Sequence, residues 1–227
     1  MGPVDLVVPI KRLDRAKSRL RGAVPGVEHA ELVLALLLDT VTAAVDAPGV
    51  RRVLVICEDD RVPVALRGTG AECVDVRGLP GLNAALDHGA ELLRAADPLG
   101  TVGALQADLP ALRSADLHAA LTAAGGRRAF CADRPGTGTT LLVAAPGQPL
   151  VPRFGVGSAA AHAASGAVLL DGAPSLRCDV DTGEDLSTAA ALGLGGHSAI
   201  LLADSGKFTP SFDRGCTLRP YCWTMGL

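Results

Sequence analysis

Lysine is scarce: three stand against eighteen arginines, and 21 basic against 24 acidic side chains leave a net charge of −3. No basic stripe of the kind a nucleic-acid backbone requires can be assembled from that balance, which excludes a nucleic-acid partner. The six cysteines, at 57, 73, 131, 178, 216 and 222, include no CxxC pair, so neither a zinc site nor a disulfide framework is expected. Most of the first four fall within or beside apolar strand-like runs, where a thiol behaves as a small hydrophobe. No apolar run reaches the roughly 18 residues of a membrane span, and Met1–Ile10 carries Asp5 but no basic segment. The expectation is a cytoplasmic protein without a membrane partner. The pattern GxxxxGK[ST] is missing, Ser205-Gly206-Lys207-Phe208 being the nearest approach, which excludes a P-loop NTPase. The histidines at 29, 88, 118, 162 and 197 have no ligand spacing. Ser158 and His162 are four apart on one helical face without a nucleophile elbow, and read as a surface contact.

What the chain does have is core material. With 48% apolar residues over 227 positions and a positive mean hydropathy, it can fill one large domain. Strand-like runs at 4–10, 50–56, 72–76, 102–107, 128–132, 140–144 and 167–170 alternate with helix-like runs at 28–45, 81–95, 115–124, 158–164 and 183–192. That alternation predicts a single α/β domain, a mostly parallel sheet flanked by helices. From Gly193 the pattern changes: residues 205–227 hold Phe208, Phe212, Tyr221 and Trp223, four of the six aromatics, with no periodicity. Residues 1–192 are therefore read as the working domain and 193–227 as a poorly ordered, dispensable appendage.

Charge gathers where such sheets bind ligands. The first strand runs into Lys11-Arg12-Leu13-Asp14-Arg15-Ala16-Lys17-Ser18-Arg19, five cations at the carboxyl end of a buried strand. Two of the three lysines are here, and a compact ammonium suits a phosphate approached as a point charge; a solvated basic turn would look the same. Asp108 follows the run Gly103–Ala107 at another strand end, as a metal ligand or as the cap of the next turn. In Cys178-Asp179-Val180-Asp181 the carboxylates alternate, so an extended backbone puts Asp179 and Asp181 on one side. Two such neighbours repel unless a cation joins them, and magnesium takes few protein carboxylates and completes its shell with substrate phosphates. Asp181 could equally cap the helix that follows. Pro135–Thr140 is a turn whose hydroxyls either meet an anion or close the turn. The GxGxxA spacing of Gly155–Ala160 imitates a dinucleotide fingerprint, but Pro149 and Pro152 break the strand that should precede it; a glycine loop there can still cradle an anion with its N–H groups.

Six segments in order resemble the guanylyltransferases of deazaflavin coenzyme F(420) biosynthesis: Val8–Leu20, Leu79–Leu86, Ala107–Pro110, Gly138–Leu142, Arg153–Ser158 and Asp179–Thr182. The resemblance spans about residues 4–192 and implies a nucleotidyltransferase-like, Rossmann-like single domain. It implies that Asp108, Asp179 and Asp181 hold Mg2+, that Lys17 and Asp108 are catalytic, that Thr140, Gly155 and Ser158 bind the acceptor, and that Lys11, Gly81 and Asn83 line the nucleotide pocket. The reaction implied joins GMP from GTP to phosphoenolpyruvate, with 2-phospho-L-lactate as the alternative acceptor. The Ala-, Gly- and Arg-rich, Lys-poor composition looks like a high-GC bacterial genome, where relatives of this kind use phosphoenolpyruvate. A metal-dependent sugar-nucleotide glycosyltransferase is a more remote reading, because its Asp-x-Asp pair usually lies mid-chain.

Overall fold

The computed structural model describes residues 2–206. Seven strands form one sheet: β1 (Val4–Ile10), β2 (Val50–Cys57), β3 (Glu72–Asp75), β4 (Thr101–Leu105), β5 (Ala129–Ala132), β6 (Thr139–Val143) and β7 (Val168–Leu170). Their order is β3-β2-β1-β4-β6-β5-β7. All run parallel except β6, which is antiparallel to both β4 and β5. This is the expected mostly parallel α/β sheet. The order reverses between β1 and β4, and the crevice outside the carboxyl ends of the strands at such a switch is where ligands bind.

The helices are α1 (His29–Val45), α2 (Arg61–Ala65), α3 (Leu82–Ala96), α4 (Ser114–Ala124), α5 (Ser158–Ala164), α6 (Pro174–Arg177), α7 (Gly183–Leu192) and α8 (Gly196–Asp204). Strand pleating sorts the core into two layers. Leu6 and Val8 of β1 pack with Val33, Leu37 and Val41 of α1 on one face. Val7 packs with Leu86, Ala90 and Leu93 of α3 on the other. Each fully buried Val or Leu among these contributes about 1.5–3 kcal/mol. Asp5 is buried as well, and Arg51 neutralises it with paired bonds of 2.9 and 2.7 Å.

The expected domain end at residue 192 is too early. Helix α8 buries Leu202 in a third cluster with Leu32 and Leu36 of α1, and its Ser198 is buried as well. Its first turn is capped across the chain: the N–H groups of His197 and Ser198 donate to the Asp39 carboxylate at 2.8 and 2.9 Å. The folded body thus extends through α8, and the remainder of the expected appendage, residues 207–227, lies outside the described residues. Among the described residues no single helix is long and apolar enough to cross a membrane.

Candidate active site

The loop after β1 is anchored by its apolar members. Leu13, Ala16 and Leu20 are buried, the Leu13 N–H donates to Asp59 Oδ2 at 3.0 Å, and a His29 ring nitrogen meets the Ala16 carbonyl at 2.7 Å. Between them Lys17 adopts the left-handed backbone region at φ 53°, unusual for a residue with a Cβ. Its ammonium donates to Asp108 Oδ2 and, at 2.6 Å, to Asp181 Oδ1. Burial penalises the charged form of Lys17, but the adjacent Asp108 and Asp181 carboxylates outweigh that and hold it above the ordinary lysine range.

Asp108 lies three residues past β4 and is 5% exposed. It does not cap the turn that follows: the Leu109 N–H goes instead to Thr40 Oγ1 at 2.9 Å. Oδ1 of Asp108 is buried without a hydrogen-bond partner among the described residues. The Val180 N–H donates to the Asp108 carbonyl at 3.0 Å, so a single backbone bond sets the second acidic segment beside the first. Cys178 and Val180 point into the core while Asp179 and Asp181 alternate outward, as the spacing predicted. Asp181 is not the cap of α7. Thr182 takes that role, in a reciprocal box with Asp185, which leaves the Asp181 carboxylate to Lys17. Burial, followed by the charge of Asp108, pushes the Asp179 carboxyl up to about 7.

An orphaned buried oxygen on Asp108 and a destabilised Asp179 are what a hard divalent cation would satisfy. Among the described residues no three His, Cys, Asp or Glu side chains form a complete cage. The set therefore fits a cation that draws on one or two carboxylates and takes its remaining ligands from substrate phosphates and water, as magnesium does.

Lys11 and Gly81 both line a cleft at the carboxyl ends of β1 and β2, together with Pro9, Ile56, Glu58, Val76 and Ala85. Gly81, at φ 91°, opens α3 in a conformation that disfavours a side chain. Asn83 does not line this cleft. Its amide forms a two-way bridge with the backbone of Phe154, accepting from N–H at 2.8 Å and donating to C=O at 3.0 Å.

Around the expected acceptor residues the structure is drier than the sequence suggested. Thr140 is fully buried, its hydroxyl 3.5 Å from the Cys131 carbonyl. Ser158 and His162 are buried too, correcting the surface reading of that pair. Ser158 Oγ donates to Thr139 Oγ1 at 3.1 Å, and His162 Nδ1 lies 2.9 Å from the same oxygen. Burial, reinforced by Arg128 and Arg153, lowers the His162 pKa to about 4. Gly155, at φ 138°, and Gly157 shape the loop before α5, and Val156 at its tip is fully exposed. The Pro135–Thr140 turn is closed by the Asp133 carboxylate, which accepts from the N–H groups of Thr137 and Gly138. Arg134 pairs with Asp185 at 3.1 Å and Arg177 donates to the Asp133 carbonyl at 3.0 Å, tying this turn to the segment that carries Asp179 and Asp181. Thr139, His162, Arg134 and Arg177 were not among the expected site residues. Two signals in the sequence point to the first two, the proximity of Thr139 to Thr140 and the spacing of His162 from Ser158, which on its own reads as a surface contact.

Residues 4–220 match the family described as "Guanylyl transferase CofC like". The chain belongs to this family. A phosphoenolpyruvate guanylyltransferase of Salinispora arenicola (strain CNS-205) is 54% identical over 200 residues, covering 86% of this chain and 92% of the relative. One of Streptomyces coelicolor (strain ATCC BAA-471 / A3(2) / M145) is 51% identical over 201 residues, covering 87% and 95%. In fold alone, the chain is similar to a crystal structure of 4-diphosphocytidyl-2C-methyl-D-erythritol synthase, with a TM-score of 0.59 at 14% identity over 85% of this chain and 99% of that one. In this chain Lys17, from the loop after β1, forms ion pairs with Asp108, past β4, and with Asp181, before α7.

Proposed function

We propose that this protein transfers GMP from GTP to phosphoenolpyruvate, releasing pyrophosphate and forming enolpyruvyl-2-diphospho-5'-guanosine, a step of coenzyme F(420) biosynthesis carried out in the cytoplasm. The observation that carries the reading is the meeting of Lys17 with Asp108 and Asp181, on the same loop whose first residue, Lys11, lines the cleft with Gly81; the names of relatives at about half identity support the choice of substrates.

The acceptor's phosphate oxygen attacks the α-phosphorus of GTP in line: one P–O bond forms, the bond to the β-phosphate oxygen breaks, and pyrophosphate leaves. No general base is needed, because the attacking oxygen is already ionised near neutral pH. Two polyanions must be held together, so neutralisation and positioning carry most of the catalysis. Lys17 supplies a fixed positive charge to the transferring phosphates, and Lys11 and Gly81 receive the nucleotide. Of the three carboxylates, Asp108 and Asp179 would hold Mg2+, which when bound supplies charge stabilisation to phosphate oxygens, while Asp181 stays paired with Lys17. The glycine loop 155–158, with Thr140, receives the acceptor. The Thr140 and Ser158 hydroxyls are engaged internally, so exposed loop backbone meets the ligand first.

Pyrophosphate release measured with each of the four nucleotide triphosphates, with and without phosphoenolpyruvate, tests the reading. Release should require GTP and the acceptor together. In competition at equal concentration, phosphoenolpyruvate should be used at least tenfold faster than 2-phospho-L-lactate, a difference of about 1.4 kcal/mol. A majority of phospholactate adduct by mass spectrometry would reverse the acceptor choice and leave guanylyl transfer standing.

A further inference from the structure

The Arg153–Gly157 loop carries little regular structure, yet its first two amides are held from opposite sides. The Arg153 N–H donates to His162 Nε2 at 2.9 Å. The next N–H, that of Phe154, donates to Asn83 Oδ1 at 2.8 Å, and Asn83 Nδ2 returns a bond to the Phe154 carbonyl at 3.0 Å. One latch comes from α5 and the other from α3, the helix that Gly81 opens at the nucleotide cleft. The His162 ring is packed edge-on against Phe154 at 5.1 Å and lies 6.0 Å from Phe130.

The bond from Arg153 fixes the state of the ring. A backbone N–H can only donate, so Nε2 carries no proton, and the proton of the neutral imidazole sits on Nδ1, where it donates to Thr139 Oγ1. That hydroxyl also accepts from Ser158. The neutral ring thus orders both the first residue of the loop and, through Thr139, the residue at its end. The charged groups facing it are the guanidinium groups of Arg128 and Arg153, which oppose a second ring proton.

We propose that Asn83 and His162 are positioning residues that clamp the consecutive amides of Arg153 and Phe154, so that the glycine loop 155–158 is formed before the acceptor arrives. The inference rests on the reading above that this loop takes the acceptor. A loop ordered in advance spares the ligand the entropy of ordering it, so the clamp acts on acceptor binding. It also gives Asn83 a different task from contacting the nucleotide, and the two tasks separate in kinetics.

The test uses the full chain with Asn83→Ala, His162→Asn and His162→Gln. Amide hydrogen exchange at Arg153 and Phe154 is followed by NMR without ligands, and KM is measured separately for GTP and for phosphoenolpyruvate. Expected for Asn83→Ala and His162→Asn are exchange at least tenfold faster at the released amide and an acceptor KM raised at least tenfold. The GTP KM should stay within about twofold. His162→Gln, whose carbonyl oxygen can accept from Arg153, should recover most of the loss. If His162→Asn fails to fold, Asn83→Ala, a half-buried change at the start of α3, carries the test. Unchanged exchange overturns the clamp, and a raised GTP KM with an unchanged acceptor KM returns Asn83 to the nucleotide. Fast exchange with both KM values unchanged overturns the link to the acceptor. Failure of the functional reading shows separately, as a wild-type protein that releases no pyrophosphate from GTP and phosphoenolpyruvate.

Discussion

On the carboxylate side of the site, Lys17, Asp108, Asp179 and Asp181 are ionisable and, the buried Asp108 apart, reach partly into solvent, whereas on the loop side Thr139, Ser158 and His162 are buried, neutral and hydrogen-bonded to one another. The first group is internally unfinished: one Asp108 oxygen lacks a partner among the described residues and the Asp179 carboxyl is held far from its ordinary range. The second is complete before any ligand arrives. Charge that must reorganise around polyanions costs stability and serves turnover, while a saturated neutral network contributes stability and serves geometry. Substitutions on the two sides should therefore separate rate from stability.

The largest effect expected is on the carboxylate side. Asp108→Asn keeps the shape of the side chain at a strand end but removes the charge that would hold the cation. Turnover should fall about a thousandfold at saturating magnesium, roughly 4 kcal/mol of barrier, with circular dichroism unchanged. Near-normal pyrophosphate release would take Asp108 out of the site. Adding Asp181→Asn should cost less than the product of the two single effects, because both carboxylates serve one charge centre.

Next in size is Lys17. Replacement by alanine should lower kcat about a hundredfold and raise the KM for GTP only a few-fold, since its charge acts on phosphates during transfer. A pure KM effect would reduce it to a docking contact. Lys17→Arg should rescue only in part, because a planar fork cannot sit as a point charge between Asp108 and Asp181.

These residues were legible in the sequence because strand ends advertise them. The run Val4–Ile10 is a strand in the structure with the same bounds, and of the charged loop after it Lys17 turns to the carboxylates while Arg12, Arg15 and Arg19 stay exposed, so the two readings of that loop each hold for part of it. Alternation alone oriented Asp179 and Asp181. The loop side was illegible for a physical reason: its partners are distant in sequence and its helix is nearly all alanine. Ser158–Ala164 has no apolar stripe from which to tell an inward His162 from an outward one, and the partner of Asn83 is 71 residues away. The same holds for α8, whose cap comes from Asp39, 158 residues before His197. Local propensity could not foresee a helix start that depends on a carboxylate from α1.

The neutral side should declare itself through acid. Burial, with Arg128 and Arg153 adding to it, holds His162 at about 4 in the folded protein against 6.5 as the ordinary value. Between those limits the folded state binds fewer protons than the unfolded chain. The contribution is fully present above pH 6.5 and is lost as pH falls toward 4. Wild type should lose about 2 kcal/mol more than His162→Gln over that window, read from urea unfolding at pH 7, 5.5 and 4.5. Parallel curves for the two proteins would show that the ring is not held neutral.

The smallest effect should be a gain, and it lies on the charged side. Asp179 is held up to about 7, first by burial and then by the charge of Asp108, against an ordinary 3.8. Here the folded state binds more protons than the unfolded chain between about pH 4 and 7, so stability falls across that range as pH rises. The penalty is absent below pH 4 and complete above pH 7. Asparagine fills the same space without the charge. Asp179→Asn should therefore stabilise the metal-free protein at pH 8 by about 1 kcal/mol, the larger ideal value being reduced by the solvent that reaches this side chain. In a chain of this size that is a rise in Tm of about 2–4 °C, shrinking to nothing at pH 4. The same variant should be nearly inactive. A loss of stability at pH 8 would mean that the wild-type carboxylate is already neutralised by something other than the bound cation proposed here, and the contrast between a costly charged side and a stabilising neutral side would fail at its most sensitive residue.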